Sequence, residues 1–346
     1  MQNEFLWNPT PSSSNTEMAR YLKHAGERFS THDICDYDSL YRWSVDHYGD
    51  FWHDWLHYSE IIFDGDATPI LEGSGLRETT FFPGLRLNFA ENLLRHTGKS
   101  TALAGISESR IHQNISFDEL RSQVGTIQQQ LRQHDIRSGD RIAAFMPNIP
   151  ETVVAALATS ASGAIWSSCS PDFGTQSVVE RFEQIEPKLL FCVNGFVHNG
   201  KVIDCREKIS EISAQLPSLT TIVVIELVDL PNGSQASDDW ILWNDWAAGE
   251  KYQPTYERLP FNHPLYIMYS SGTTGKPKCI VHGAGGTLLQ QTKELMLHTD
   301  VQSGDNITYI TTCGWMMWNW LCLLYTSPSP RDQRGSGVGG WGGGKK

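Results

Sequence analysis

Between Ser116 and Leu227 the chain alternates short apolar runs with stretches of ten to fifteen residues that read as helices. This alternation limits the fold more than any other feature. Ser116-Phe-Asp-Glu119 has the serine and glutamate spacing of a capping box and opens a helix reaching about Gln133. Arg141–Met146 is a short buried strand stopped by Pro147, and Ile149-Pro-Glu starts a second helix with proline in its first turn, ending near Ser162–Gly163. Ala164–Trp166 is a strand, Gln176–Ile185 a helix, and Leu189–Val193 and Thr220–Leu227 are strands again. Such alternation predicts βαβ units and an α/β fold, a mainly parallel sheet flanked by helices. No internal repeat is visible.

Composition closes several routes. Lysine plus arginine is 27 and aspartate plus glutamate 39, a net charge of −12. An acidic balance argues against nucleic acid as a general partner, because a phosphate backbone needs a basic footprint. The seven cysteines form no C-x-x-C pair, and their odd number suits reduced, buried thiols better than a disulfide framework. No run of about 18 apolar residues predicts a membrane span, and Met1–Trp7 lacks the basic and apolar regions of a signal peptide. These features predict a cytosolic protein. No metal-ligand spacing occurs. From Tyr37 to Tyr58, Leu40, Tyr41, Val45, Tyr48, Trp52, Trp55 and Leu56 recur at helical spacing and predict one packing face.

The strongest chemical signal is Tyr269-Ser-Ser-Gly-Thr-Thr-Gly-Lys-Pro-Lys278. It lies between the apolar runs Pro264–Met268 and Cys279–Val281, which places it in a loop joining two strands. Gly272 and Gly275 let the backbone take positive φ and approach a ligand. The hydroxyls of Ser270, Ser271, Thr273 and Thr274 can donate to phosphate oxygens, and Lys276 and Lys278 can supply positive charge. A Walker loop is excluded by spacing, since the glycines are three apart and Pro277 stands where a metal-binding Ser or Thr is needed. A plain surface loop is the other reading of such a composition.

This stretch resembles the phosphate-loop signature of the adenylate-forming enzymes, the superfamily of acyl-CoA synthetases, luciferases and peptide-synthetase adenylation domains. Tyr41–Val45, Phe82–Leu94, Gly163–Gly174, Val281–Gly286 and Thr311–Asn319 resemble its acetoacetate-activating branch, and the resemblance runs from about residue 5 to about residue 324. It implies an ATP-dependent ligase that converts acetoacetate through acetoacetyl-AMP to its CoA thioester, with Mg²⁺ assisting. The phosphate ligands would be Ser270, Ser271, Gly272, Thr273, Thr274, Gly275 and Lys278. Trp315, Met316 and Met317 would contact the acyl chain. A threonine common in acetate-activating relatives is replaced by Met317, which speaks against acetate. Gly195–Lys201 aligns with a CoA-binding segment whose arginines are absent here, leaving Lys201 as its basic residue. His282 is expected to be packed or hydrogen-bonded rather than chemical.

The resemblance also divides the chain. Residues 1–98 would be an N-terminal extension, 99–324 part of the AMP-binding domain, and 325–346, with seven glycines, a non-native disordered tail. The family's adenine and magnesium motif, its ribose-binding T-G-D and its catalytic lysine do not follow Leu324. The polypeptide as it stands is therefore expected to be an inactive, truncated piece with no nameable catalytic residue. A ligase for acetate, propionate or butyrate, and a non-catalytic nucleotide-binding fragment, are the alternatives.

Overall fold

The computed structural model describes residues 14–75, 78–108, 113–231, 233, 237–270 and 275–321. Its centre is a seven-stranded sheet: β1 (Arg141–Phe145), β2 (Ile165–Cys169), β3 (Leu189–Val193), β4 (Thr221–Ile225), β5 (Ile241–Leu242), β6 (Pro264–Ser270) and β7 (Lys278–Gly283). The order across the sheet is β5-β4-β3-β1-β2-β6-β7, parallel except for the antiparallel pair β6–β7. β2 and β3 are buried along their whole length because helices cover both faces, as a parallel sheet requires, and the two serines of β2, Ser167 and Ser168, are hydrogen-bonded. Alternate residues serve opposite layers: Ile142 and Ala144 join one hydrophobic cluster, and Ala143 and Phe145 the other.

Eleven α-helices lie among the described residues: α1 (Glu17–Arg28), α2 (Tyr37–Asp46), α3 (Tyr48–Tyr58), α4 (Phe89–Leu93), α5 (Phe117–Gln133), α6 (Pro150–Ala161), α7 (Thr175–Phe182), α8 (Arg206–Ala214), α9 (Trp243–Ala247), α10 (Ala284–Lys293) and α11 (Met316–Leu321). The predicted capping box is present: Ser116 Oγ accepts from Glu119 N, and Glu119 returns a carboxylate to Ser116 N. Helices α5, α6 and α10 pack on one face, α7 and α8 on the other. This division follows from strand order. The chain moves one way from β1 to β2 and back across β1 to reach β3, and right-handed crossovers then put α6 and α7 on opposite faces. Adjacent strands whose connections leave to opposite faces open a crevice at their carboxyl ends.

The N-terminal segment differs from its sequence reading. The expected single helix over 37–58 is broken at His47 (φ −122°, ψ 45°) into α2 and α3. Each half then turns its own face inward. Leu40, Trp43, Phe51, Trp55 and Leu56 are buried, while Tyr41, Val45 and Tyr48 from the expected packing face are exposed. Trp55 fastens α3 to the sheet layers, its Nε1 donating to Leu289 O of α10 at 3.2 Å. No described helix is long and apolar enough to cross a membrane. The six described cysteines are free, and all but Cys35 and the partly exposed Cys279 are buried.

Candidate active site

The β6–β7 connection is the phosphate-loop candidate. β6 runs parallel to β2, so the loop leaves at the carboxyl edge of the sheet, beside the ends of β1 and β2. Ser270 ends β6 and pairs with Lys278 at the start of β7, so the two predicted residues face each other across the neck of the loop. Gly275 has φ +106° with open space around the position of a Cβ, so its conformation rather than crowding calls for glycine. Lys278 is exposed and has no ion-pair partner among the described residues. Lys276 is engaged: its Nζ lies 2.6 Å from Glu183 Oε1, which raises its pKa. Ser271, Gly272, Thr273 and Thr274 lie outside the described residues.

The neck is tied to β2. Ser167 Oγ lies 2.9 Å from Ile267 O and 3.0 Å from the hydroxyl of Tyr269, and burial pushes the Tyr269 phenol well above its usual range. Tyr269 thereby anchors the neck to β2. His282 on β7 packs its ring 5.0 Å from that of Tyr266, and burial lowers its pKa, which fits the packed role expected from sequence.

The acyl-contact candidates reach the same edge. Ser168 Oγ donates to Cys313 O at 2.6 Å, and a Cβ on Gly314 would come within 3.1 Å of the Phe173 ring. From there α11 descends along the sheet face. Trp318 is buried, stacks on Trp166 and donates from Nε1 to Asn148 Oδ1 at 2.9 Å. Trp315 and Met316 are left 64% and 49% exposed, with Met317 partly buried. The cavity behind Trp318, bounded also by Phe89, Leu157, Trp166 and Leu265, has only about 30 Å³. That is room for little more than water.

Lys201 sits elsewhere. It starts the second strand of an exposed two-stranded hairpin, Gly195–His198 with Lys201–Asp204. The turn residues Asn199 and Gly200 have positive φ, and their N–H groups donate to the Glu108 carboxylate at 3.2 and 2.9 Å. These bonds hold the Glu108 carboxyl below its usual pKa. The turn is thus an anion-binding nest already filled by a side chain of this protein.

Sequence reasoning overlooked Asn148, Ser168, Phe173 and Glu183, all of which act through partners more than 90 residues away or across a turn. Ser168 and Phe173 lie within the Gly163–Gly174 stretch but were given no role, and nothing local marks Asn148 or Glu183. No group of three His, Cys, Asp or Glu side chains among the described residues could hold a metal ion.

The candidate phosphate loop thus joins a parallel and an antiparallel strand of an α/β sheet, at the edge that the Cys313–Trp318 segment also reaches. Residues 89–327 match the family model described as AMP-binding enzyme, and the chain belongs to that family. It is 45% identical over 318 residues to acetoacetyl-coenzyme A synthetase of Rhizobium meliloti (strain 1021), covering 91% of this chain and 49% of the relative. Against acetoacetyl-CoA synthetase of Macaca fascicularis it is 40% identical over 337 residues, covering 94% and 49%. Among solved structures, acetoacetyl-CoA synthetase from Streptomyces lividans superposes with a TM-score of 0.89 at 37% identity, over 94% of this chain and 50% of that one. The chain spans about half the length of the curated relatives it matches.

Proposed function

We propose that the protein carrying this chain is an ATP-dependent acid–thiol ligase that activates acetoacetate, in the cytosol, with no nucleic-acid partner. The acetoacetate carboxylate attacks the α-phosphorus of ATP, forming acetoacetyl-AMP and releasing pyrophosphate. The CoA thiol then attacks the acyl carbon and AMP leaves. The observation that carries this reading is the juxtaposition at one sheet edge of the β6–β7 loop and the Trp315–Met317 segment, in a chain 45% identical to an acetoacetate-activating relative.

In this reading Ser270, Ser271, Thr273, Thr274 and Lys278 hold the β- and γ-phosphates, while Gly272 and Gly275 let the backbone close on them. Positioning and charge stabilisation are the main protein contributions to such a transfer. Trp315, Met316 and Met317 border the acyl group, and Lys201 approaches the CoA phosphates. Magnesium would travel with the ATP phosphates, and no step here is routed through it. The boundaries at residues 98/99 and 324/325 are proposed on the same basis.

Acetoacetate-dependent ATP–pyrophosphate exchange and thioester formation by the full reading frame that carries this chain test the proposal. Acetoacetate should give a higher kcat/KM than acetate, propionate or butyrate. A preference for one of those acids, or no exchange with any, would overturn it.

A further inference from the structure

We propose that the end of α7 is a positioning element that grips both limbs of the phosphate loop through Arg181, Glu183 and Gln184. The inference rests on reading that loop as the ATP phosphate site. On the outgoing limb, the Arg181 guanidinium lies 5.8 Å from the Tyr269 ring centroid and 5.2 Å from that of Phe173. Its NH1 donates to Ser177 O at 2.6 Å, which fixes the plane between the two rings. No carboxylate pairs with Arg181 among the described residues. On the returning limb, Glu183 takes Lys276 at 2.6 Å, and Gln184 Nε2 donates to Pro277 O at 2.9 Å. Gln184 also lies 3.7 Å from the Cys279 sulfur.

Three residues within a four-residue stretch at one helix end thus reach both sides of one loop. Folding stability does not account for this grip. Lys276 and Glu183 are 67% and 38% exposed, and exposed pairs contribute little to stability. The grip does account for preorganisation: with both limbs held, less chain must be ordered when phosphate binds. Arg181 also touches Phe173, against which Gly314 packs, so one side chain bridges the loop and the acyl segment. In this arrangement Lys276 is a tether, and Lys278 is the cation left for phosphate.

The test uses the full reading frame and reads the ATP dissociation constant by calorimetry, with melting temperature and acid KM alongside. Arg181→Met should weaken ATP binding about tenfold and Glu183→Gln about threefold, and Glu183→Gln should leave acid KM unchanged. Arg181→Lys should not restore the loss, because a lysine keeps the charge but not the planar stack. If Glu183 instead restrains a phosphate-binding Lys276, Glu183→Gln will tighten ATP binding, which overturns the proposal. Unchanged affinity in both variants also overturns it. Should Arg181→Met unfold, the exposed Glu183 variant still decides. A protein that binds ATP and loses affinity as described, yet activates no acetoacetate, would refute the acid assignment while leaving the tether intact.

Discussion

Two hairpins in this protein carry a lysine beside glycine and look equally fit to meet phosphate. The β6–β7 hairpin is braced from three directions, by β2 through Ser167, by α7 through Glu183 and Gln184, and by the Phe173 turn through Arg181. The 195–204 hairpin stands exposed, and Glu108 already occupies its turn amides. Local chemistry is therefore a poor guide to which loop binds a ligand. What separates them is how many neighbouring elements brace the limbs of the hairpin.

The largest effect expected from this contrast is at Lys278. Lys278→Ala in the full reading frame should slow acetoacetate-dependent pyrophosphate exchange about 10²-fold, the scale of losing one preorganised charge donor. A loss below threefold would put both hairpins on the same footing. Gly275→Ala should weaken ATP binding about tenfold, since a φ of +106° strains any other residue, by ~1–3 kcal/mol. Calorimetry reads this, and an unchanged affinity would show that the loop does not need that conformation. Ser168→Ala removes the bond to Cys313 O, worth about 1 kcal/mol. It should raise acid KM about fivefold and leave ATP affinity alone, so a matching change in both would merge the two halves of the braced region.

For the exposed hairpin the effects should be small. Lys201→Ala should raise CoA KM less than about threefold, as for other exposed charges; a tenfold rise would put the two hairpins on the same footing. Glu108 supplies a pH marker. Its folded pKa is depressed, so its bonds to the turn contribute at neutral pH and are lost as pH falls through the folded value, below the ordinary carboxylate range. The amide resonances of Asn199 and Gly200 should follow that titration, and Glu108→Gln should abolish it.

Much of the sheet was legible from residue pattern. The apolar runs at 141, 189 and 220 became β1, β3 and β4, because strands buried on both faces need unbroken apolar sequence. The capping box and Pro150 marked two helix starts through purely local bonds. The break at His47 was not legible, because helical spacing continues through it and only packing against other layers rewards the turn. Asn148, Arg181 and Glu183 were likewise silent. Their partners are far along the chain, and an isolated polar residue carries no mark of the neighbour it will meet.

The sequence by itself determined that strands and helices alternate, that the sheet is mainly parallel, and that Tyr269–Lys278 joins two strands, since these depend on periodicity, turn residues and local bonds. The tertiary structure alone decided that the ends of this loop and the Cys313–Trp318 segment share one edge, that Lys276 is tethered while Lys278 has no ion-pair partner among the described residues, and that the Lys201 hairpin turn is already filled. Those outcomes depend on which strands lie side by side, and strand order is set by crossovers and burial summed over the whole chain.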